Sequence, residues 1–185
     1  VSLKNLVTVE ERIRAVKPEA TITVDGSEIA VGGLVGQPDL AFLRPEWLKT
    51  MTADPRALRF QGVTVGKPAA PFDYKPSGHF PRRQWPPLGA AVTLDFAGEN
   101  LKVQVHYEIY DGIPLIAKWI TITNAGQSAR TINAYRSEFL GLVEVESLVG
   151  VQPNWRRPNV TPLTDYAFGG DSINNAQPAI HWAAD

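Results

Sequence analysis

Short runs of apolar and β-branched residues, separated by turn dipeptides, are the feature that most constrains this chain. Two such runs, residues 21–24 and 27–31, flank Asp25-Gly26. An Asp-Gly pair between runs of this kind predicts a two-residue β-hairpin turn, because that turn needs positive φ. Asp111-Gly112 separates two longer runs in the same way. The pattern predicts an all-β chain.

The clearest strand pattern occupies residues 89–147. It predicts strands over 91–96, 101–110 and 114–123, and a fourth, longer strand from 129 to about 147. Because the predicted turns between these strands are short, we expect the four strands to form an antiparallel meander.

The Asp111-Gly112 turn also predicts a register for the two strands that it joins. That register places apolar side chains of both strands on one face, as a sheet facing a core requires. The predicted pairs are Tyr110 with Ile113, Tyr107 with Ile116, Val103 with Ile120, and Leu101 with Ile122. Lys118 is the exception, because it falls opposite Val105 on the apolar face. Either its ammonium group reaches the sheet edge, or the register changes there.

The opposite face carries polar side chains that suggest carbohydrate binding. Gln104, His106 and Glu108 alternate along one predicted strand, and Trp119 lies on the next. Aromatic rings can stack on the apolar faces of sugars while polar side chains bond the hydroxyl groups. The same face equally suits contact with another domain or with water.

Prolines interrupt residues 36–88 and exclude long central strands there, which predicts long proline-rich loops. Two tryptophans of the predicted loops have arginine neighbours: Trp85 follows Arg82-Arg83, and Trp155 precedes Arg156-Arg157. Tryptophan with arginine is enriched at protein interfaces. The same composition also suits a loop that packs over the core through cation–π contacts.

Composition and motifs argue against several classes of function. The formal net charge is -1, so we expect neither a nucleic-acid nor a membrane partner. The chain has no cysteine, and His79, His106 and His181 are far apart in sequence, so we expect no metal and no cofactor. We expect a soluble protein, and its compartment can be cytoplasmic or, in a bacterium, periplasmic or secreted.

The segment His106–Asn124, HYEIYDGIPLIAKWITITN, resembles the N-terminal β-sandwich of α-galactosidases of glycoside hydrolase family 36 and their relatives. In that family a strand reading Tyr-Glu-aliphatic-Tyr-Asp turns through Pro-Leu into a Lys/Arg-Trp strand that ends in Asn. The segments 85–89 and 165–170 are similar to loops of the same family. The similarity covers about residues 85–170.

The resemblance implies an antiparallel β-supersandwich, as in galactose-mutarotase-like domains, ahead of a (β/α)8 barrel that supplies the catalytic aspartates. Lys118-Trp119-Ile120 lacks the aspartate of the barrel's Lys-Trp-Asp motif, so no catalytic residue is transferred to this chain. We therefore expect residues 1–185 to be one non-catalytic sandwich domain, an N-terminal fragment of a larger glycoside hydrolase. Its expected partner is the catalytic barrel, with a carbohydrate or a second copy as further possibilities.

Two alternatives belong to other functional classes. The first is a carbohydrate-binding module that uses the face of Gln104, His106, Glu108 and Trp119. The second is a mutarotase-like sugar epimerase, which needs a histidine acid and a carboxylate base in one pocket. His106 with Glu108 or Glu138 is the candidate set for that chemistry.

Overall fold

A computed structural model describes residues 13–38, 43–70, 85–139 and 141–142 of the chain. These residues form an all-β protein with one 3₁₀ helix, which confirms the predicted fold class. The strands are β1 Ile13–Ala15, β2 Ala20–Val24, β3 Ser27–Val31, β4 Leu34–Val35, β5 Thr52–Ala53, β6 Arg59–Gly66, β7 Gly89–Gly98, β8 Leu101–Tyr110, β9 Ile113–Asn124, β10 Ile132–Arg136 and β11 Gly141–Leu142, and the 3₁₀ helix spans Pro45–Lys49. None of the helical structure in these ranges is long and apolar enough to cross a membrane.

Two sheets make up most of the described fold. The large sheet has the antiparallel strand order β6-β7-β8-β9, and the small sheet has the order β10-β2-β3. Two further strand pairs, β1 with β11 and β4 with β5, lie outside them. The predicted strands over 91–96, 101–110 and 114–123 correspond to β7, β8 and β9.

The predicted fourth strand of the meander is wrong, because β10 leaves the large sheet and pairs with β2. The turn of the β2–β3 hairpin holds the chain just before β10. Asp25 accepts a hydrogen bond from the Thr131 amide at 2.8 Å, and the Asp25 amide donates to the Thr131 carbonyl at 2.9 Å. Arg130 forms an ion pair with the Asp25 carboxylate. The fourth strand of the large sheet is instead β6, which pairs with β7.

The Asp25-Gly26 turn has the positive φ angles that its sequence predicts, whereas at Asp111-Gly112 only Gly112 has positive φ. The Glu99-Asn100 turn between β7 and β8 has positive φ at both residues. Asp25 and Gly26 have φ of 50° and 81°, and Glu99 and Asn100 have φ of 50° and 60°. Positive φ at both central residues belongs to the type I′ turn, whose twist matches that of the flanking strands. These two turns fix the β2–β3 and β7–β8 registers without irregularity.

The β8–β9 register differs from the prediction beyond the first pair. Tyr110 pairs with Ile113 as predicted, but Ile109 then pairs with Ile116, which leaves Pro114 and Leu115 as extra residues of β9. Proline has no amide hydrogen for the ladder, which favours an irregularity at this place. The pairs predicted for Tyr107, Val103 and Leu101 are therefore wrong: the observed partners are Lys118, Ile122 and Asn124. A shift of two residues keeps every side chain on its predicted face, because side chains alternate with a period of two.

The core lies between the inner faces of the two sheets. Leu101 and Val103 point inward as predicted, at 2% and 0% exposure, and Tyr107 is half-buried. The small sheet contributes Ile22, which is completely buried. One apolar cluster joins both sheets: Ala20, Ile22, Val24, Ile29, Val31, Leu58, Phe96, Leu101, Val103 and Val105. A supersandwich of two large sheets remains a prediction, since the described sheets have four and three strands.

Truncation of Ile22 tests whether the small sheet completes this core. Ile22→Ala should lower the free energy of unfolding by about 2–5 kcal/mol, because it leaves a cavity at a fully buried position. Ile116→Ala is the matched control, since Ile116 is 52% exposed and should change stability by less than about 1 kcal/mol. Chemical denaturation of both variants measures the difference. Equal losses in the two variants would contradict this placement of the core.

Candidate functional site

A ladder of polar side chains crosses three strands on the outer face of the large sheet. His106 in β8 stands opposite Thr93 in β7, and its Nδ1 hydrogen-bonds with the Thr93 hydroxyl at 3.1 Å. Its Nε2 hydrogen-bonds with the hydroxyl of Thr121 in β9 at 3.0 Å. Both ring nitrogens of His106 are therefore engaged inside the protein.

Trp119 is brought against His106, as the sequence predicted for this face. The two residues are direct cross-strand partners, and their rings stack with centroids 4.9 Å apart and planes 13° apart. The register shift of two residues produces this pairing, because the predicted register placed Trp119 opposite Gln104. One face of the Trp119 indole is consequently covered by the imidazole.

The other two predicted residues of this face also bond within the protein. Gln104 donates through Nε2 to Asp95 Oδ1 at 2.9 Å. Glu108 is only 2% exposed. Its Oε1 accepts the Ala69 amide at 2.7 Å, and its Oε2 accepts the Tyr110 hydroxyl at 2.8 Å. A buried carboxylate needs such donors, and here both of its oxygens have one.

The surroundings of this face shift two titrating groups. Partial burial lowers the pKa of His106, because it disfavours the charged imidazolium, and this outweighs the opposing influence of the Asp95 and Glu108 carboxylates. Burial, followed by the hydrogen bond to Glu108, raises the pKa of Tyr110 to about 12. Neutral imidazole and neutral phenol are thus the forms that the face holds at physiological pH.

The two predicted loop tryptophans lie elsewhere. Trp85 is half-buried in the segment before β7, is joined to Pro86 by a cis peptide bond, and is not part of the large sheet. Trp155 lies outside the described residues. Of the six candidate contacts, the structure therefore brings together four: Gln104, His106, Glu108 and Trp119.

The inner face holds a charged cluster that sequence reasoning only half anticipated. The Lys118 side chain is 9% exposed, and its Nζ lies 2.9 Å from Glu138 Oε2 and 3.3 Å from Glu19 Oε2. It also donates to the Glu19 carbonyl at 2.8 Å. The Tyr107 hydroxyl donates to the Glu19 carboxylate, and the ammonium lies 5.1 Å from the centroid of the Tyr107 ring. Burial, together with this bond, raises the pKa of Tyr107.

Of the two explanations that the sequence left open for Lys118, the register change occurs, but by two residues, which leaves Lys118 on the apolar face. Lys118 therefore faces Tyr107 and not Val105. The ammonium group meets carboxylates beside the core. The sequence signal was the lysine on an apolar face, but its partner Glu19 is 99 positions away, so pattern alone could not identify it.

A cleft of about 390 Å³ opens between β9 and β10. Isoleucines form much of its wall, with Lys118, Trp119 and Tyr135 as the main polar or aromatic members. Within the described ranges, no cluster of three or more His, Cys, Asp or Glu side chains could hold a metal ion. The chemistry available here is apolar contact, aromatic contact and hydrogen bonding.

No family model matches the chain, no curated protein matches it, and no solved structure matches it. The resemblance of residues 85–170 to family 36 glycoside hydrolases stays a prediction from the sequence.

The pKa of His106 should lie below the ordinary histidine value of 6.5, because partial burial favours the neutral ring. A group with a depressed pKa contributes stability above its unfolded pKa and loses that contribution as the pH falls through its folded pKa. The free energy of unfolding should thus decline more steeply below pH 6.5 in the wild type than in His106→Gln. NMR titration of both proteins assigns the His106 resonance, because that resonance is missing from His106→Gln. A pKa above 6.5 for His106 would contradict its burial between Thr93 and Thr121.

Removal of the Lys118 ammonium should destabilise the fold. Lys118→Met keeps the apolar stem but leaves the Glu19 and Glu138 carboxylates without their cation, at a cost of about 1–3 kcal/mol. Lys102→Met is the matched control, because Lys102 is exposed on the outer face, and it should change stability by less than about 0.5 kcal/mol. Urea denaturation at pH 7 compares them, and equal stability of the two variants would refute a structural role for the cluster.

Proposed function

We propose that this chain is a non-catalytic β-domain of an α-galactosidase-like glycoside hydrolase, and that it packs against the catalytic barrel of that enzyme. The observation that carries the packing part is an apolar surface on the large sheet, which we call the open face. It consists of Val63, Val65, Ile109 and Ile116, which are 56%, 72%, 53% and 52% exposed.

The open face continues the core-facing side of the large sheet. Val63 pairs with Leu94 and Val65 with Val92, and Ile109 pairs with Ile116. All four side chains lie on the same face of the sheet as Val103 and Val105, which the small sheet buries. Exposed apolar groups that continue a core surface are typical of a protein interaction site.

The outer face supports a role without catalysis. A general acid or base must reach the substrate's proton, at hydrogen-bond distance or through one water. His106 has both nitrogens bonded to threonine hydroxyls, and Glu108 has both oxygens bonded and is buried. Glu138, the other candidate base, contacts Lys118 on the inner face. This arrangement favours a structural network over the epimerase alternative.

The hydrolase part of the proposal is supported by the resemblance of His106–Asn124 to the family's scaffold strands. That segment forms β9 and part of β8, a hairpin of the large sheet. The resemblance lies in scaffold residues, which agrees with a supporting domain and not with an active site.

Carbohydrate binding is the second candidate, and one observation favours it. Tyr135 lines the cleft between β9 and β10, whose volume of about 390 Å³ is in the range of small-molecule sites. Trp119 belongs to the wall strand β9, with its indole on the outer face against His106. Aromatic side chains at a cleft of this size are typical of sugar recognition.

The packing proposal predicts that the open face contributes to stability only when the barrel is present. Ile116→Lys should leave the unfolding of this chain nearly unchanged, because the side chain is exposed. In a protein that joins this domain to a barrel, the same change should lower the midpoint of thermal unfolding. Thr123→Glu adds a charge at an exposed site on the outer face of the same strand, opposite Lys102; it is the control and should have no such effect.

Two results would count against the proposal. Hydrolysis of an α-galactoside by the 185-residue chain alone would contradict a non-catalytic role. Identical unfolding midpoints for the wild type and Ile116→Lys in the joined protein would contradict packing through the open face.

The carbohydrate candidate predicts a signal from one tryptophan. Galactosides at millimolar concentration should change the tryptophan fluorescence of the wild type, and the change should be lost in Trp119→Leu. Trp47→Leu, in the 3₁₀ helix away from the cleft, serves as the control and should retain it. A wild-type spectrum that sugar leaves unchanged would exclude this candidate.

A further inference from the structure

The strand β6 forms one edge of the large sheet. It pairs with β7 on one side, and no other strand of the described residues pairs with its second side. Phe60, Val63 and Val65 expose 56%, 56% and 72% of their surface. An exposed edge presents unpaired amide and carbonyl groups that can accept another strand.

The opposite edge of the same sheet carries protective features, and the stretch Gly62–Gly66 of β6 does not. In β9, Pro114 lacks an amide hydrogen and Lys118 is an inward-pointing charge, two features that disfavour pairing with another chain. Between Phe60 and Gly66, β6 has neither a charge nor a proline. Its irregularity lies between Phe60 and Gly62, so that Gly62–Gly66 is a regular stretch paired residue by residue with β7.

We infer that Gly62–Gly66 is a dimerisation edge, which pairs antiparallel with the same segment of a second copy around a two-fold axis at Thr64. In this register Thr64 stands opposite Thr64 of the second copy. Val63 of each copy stands opposite Val65 of the other, and Gly62 opposite Gly66. The two sheets then continue as one, and the open faces of both copies lie on the same side.

Charge disfavours the neighbouring register with its axis at Val63 and permits a second copy as the partner. A two-fold axis at Val63 would place Arg59 opposite Lys67 of the other copy, and like charges directly opposite destabilise a strand pair. An axis at Thr64 places Lys67 opposite the uncharged Gln61. The formal net charge of -1 produces little repulsion between two copies.

The side chains opposite each other in this register suit close pairing. Valine with valine and threonine with threonine are favourable cross-strand pairs. Gly62 and Gly66 add no bulk, and the space where a side chain of either would begin contains no atom within 4 Å. This inference uses the strand edge and does not depend on the proposed hydrolase role, which uses the open face.

Sedimentation velocity of the full 185-residue chain over a concentration series tests the inference, with dimer formation expected for the wild type. Thr64→Lys and Thr64→Glu each place like charges opposite each other at the axis, which should raise the dimer dissociation constant by roughly fivefold. An equimolar mixture of the two variants should restore or exceed wild-type association, because Lys then faces Glu. Lower ionic strength should enlarge both effects.

Thr123→Glu supplies the matched control for Thr64→Glu, because it makes the same exchange at an exposed threonine on the opposite edge strand, faces Lys102 and should leave dimerisation unchanged. Circular dichroism establishes that each variant keeps its fold. A wild type that is monomeric at every concentration overturns the inference. So does a mixture that associates no better than either variant, or a dimer that Ile109→Lys disrupts and Thr64→Lys does not, which would locate the contact on the open face.

Discussion

The burial of one face of β8 beneath the β2–β3 hairpin is the interaction on which the rest of this structure depends. Val103 and Val105 are completely buried, in one cluster with Ile22 and Val24 of the small sheet. Each such side chain stabilises the fold by about 1.5–3 kcal/mol when it leaves water. Because side chains alternate along a strand, this burial also fixes which residues of the neighbouring strands face inward and which face outward.

The positions of two groups of polar residues, the one around His106 and the one around Lys118, follow from this assignment of inner and outer faces. On the outward side, His106 lies between two threonine hydroxyls and against Trp119, where it cross-links three strands. On the inward side, Lys118 falls just beyond the buried rows, where Glu19 and Glu138 neutralise it. The same lysine interrupts the inner face of an edge strand, so one residue serves both the ion cluster and the protection of that edge.

Local patterns of the sequence were sufficient for β2, β3, β7, β8 and β9 and for the inner and outer faces of β8 and β9. Two-residue turns have strong backbone requirements, so Asp25-Gly26 and β8 could be identified from neighbours in the chain. The β8–β9 register required knowledge of how Pro114 and Leu115 are accommodated. The pairing of β10 with β2 depends on hydrogen bonds between Asp25 and Thr131, which are 106 positions apart in the sequence. The stacking of Trp119 on His106 follows from the shifted β8–β9 register. Alternation along β8 was enough to group the candidate residues of the outer face. It did not identify the residues that bond them, such as Thr93, Thr121 and Asp95.

Nuclear Overhauser contacts between methyl groups of Ile22 and those of Val103 or Val105 test the central claim most directly. We predict strong contacts between these groups, because they belong to one buried cluster formed by two different sheets. Methyl groups of Val103 and Val105 that contact only the large sheet, together with a solvent-exposed Ile22, would contradict this packing and the assignment of faces that follows from it.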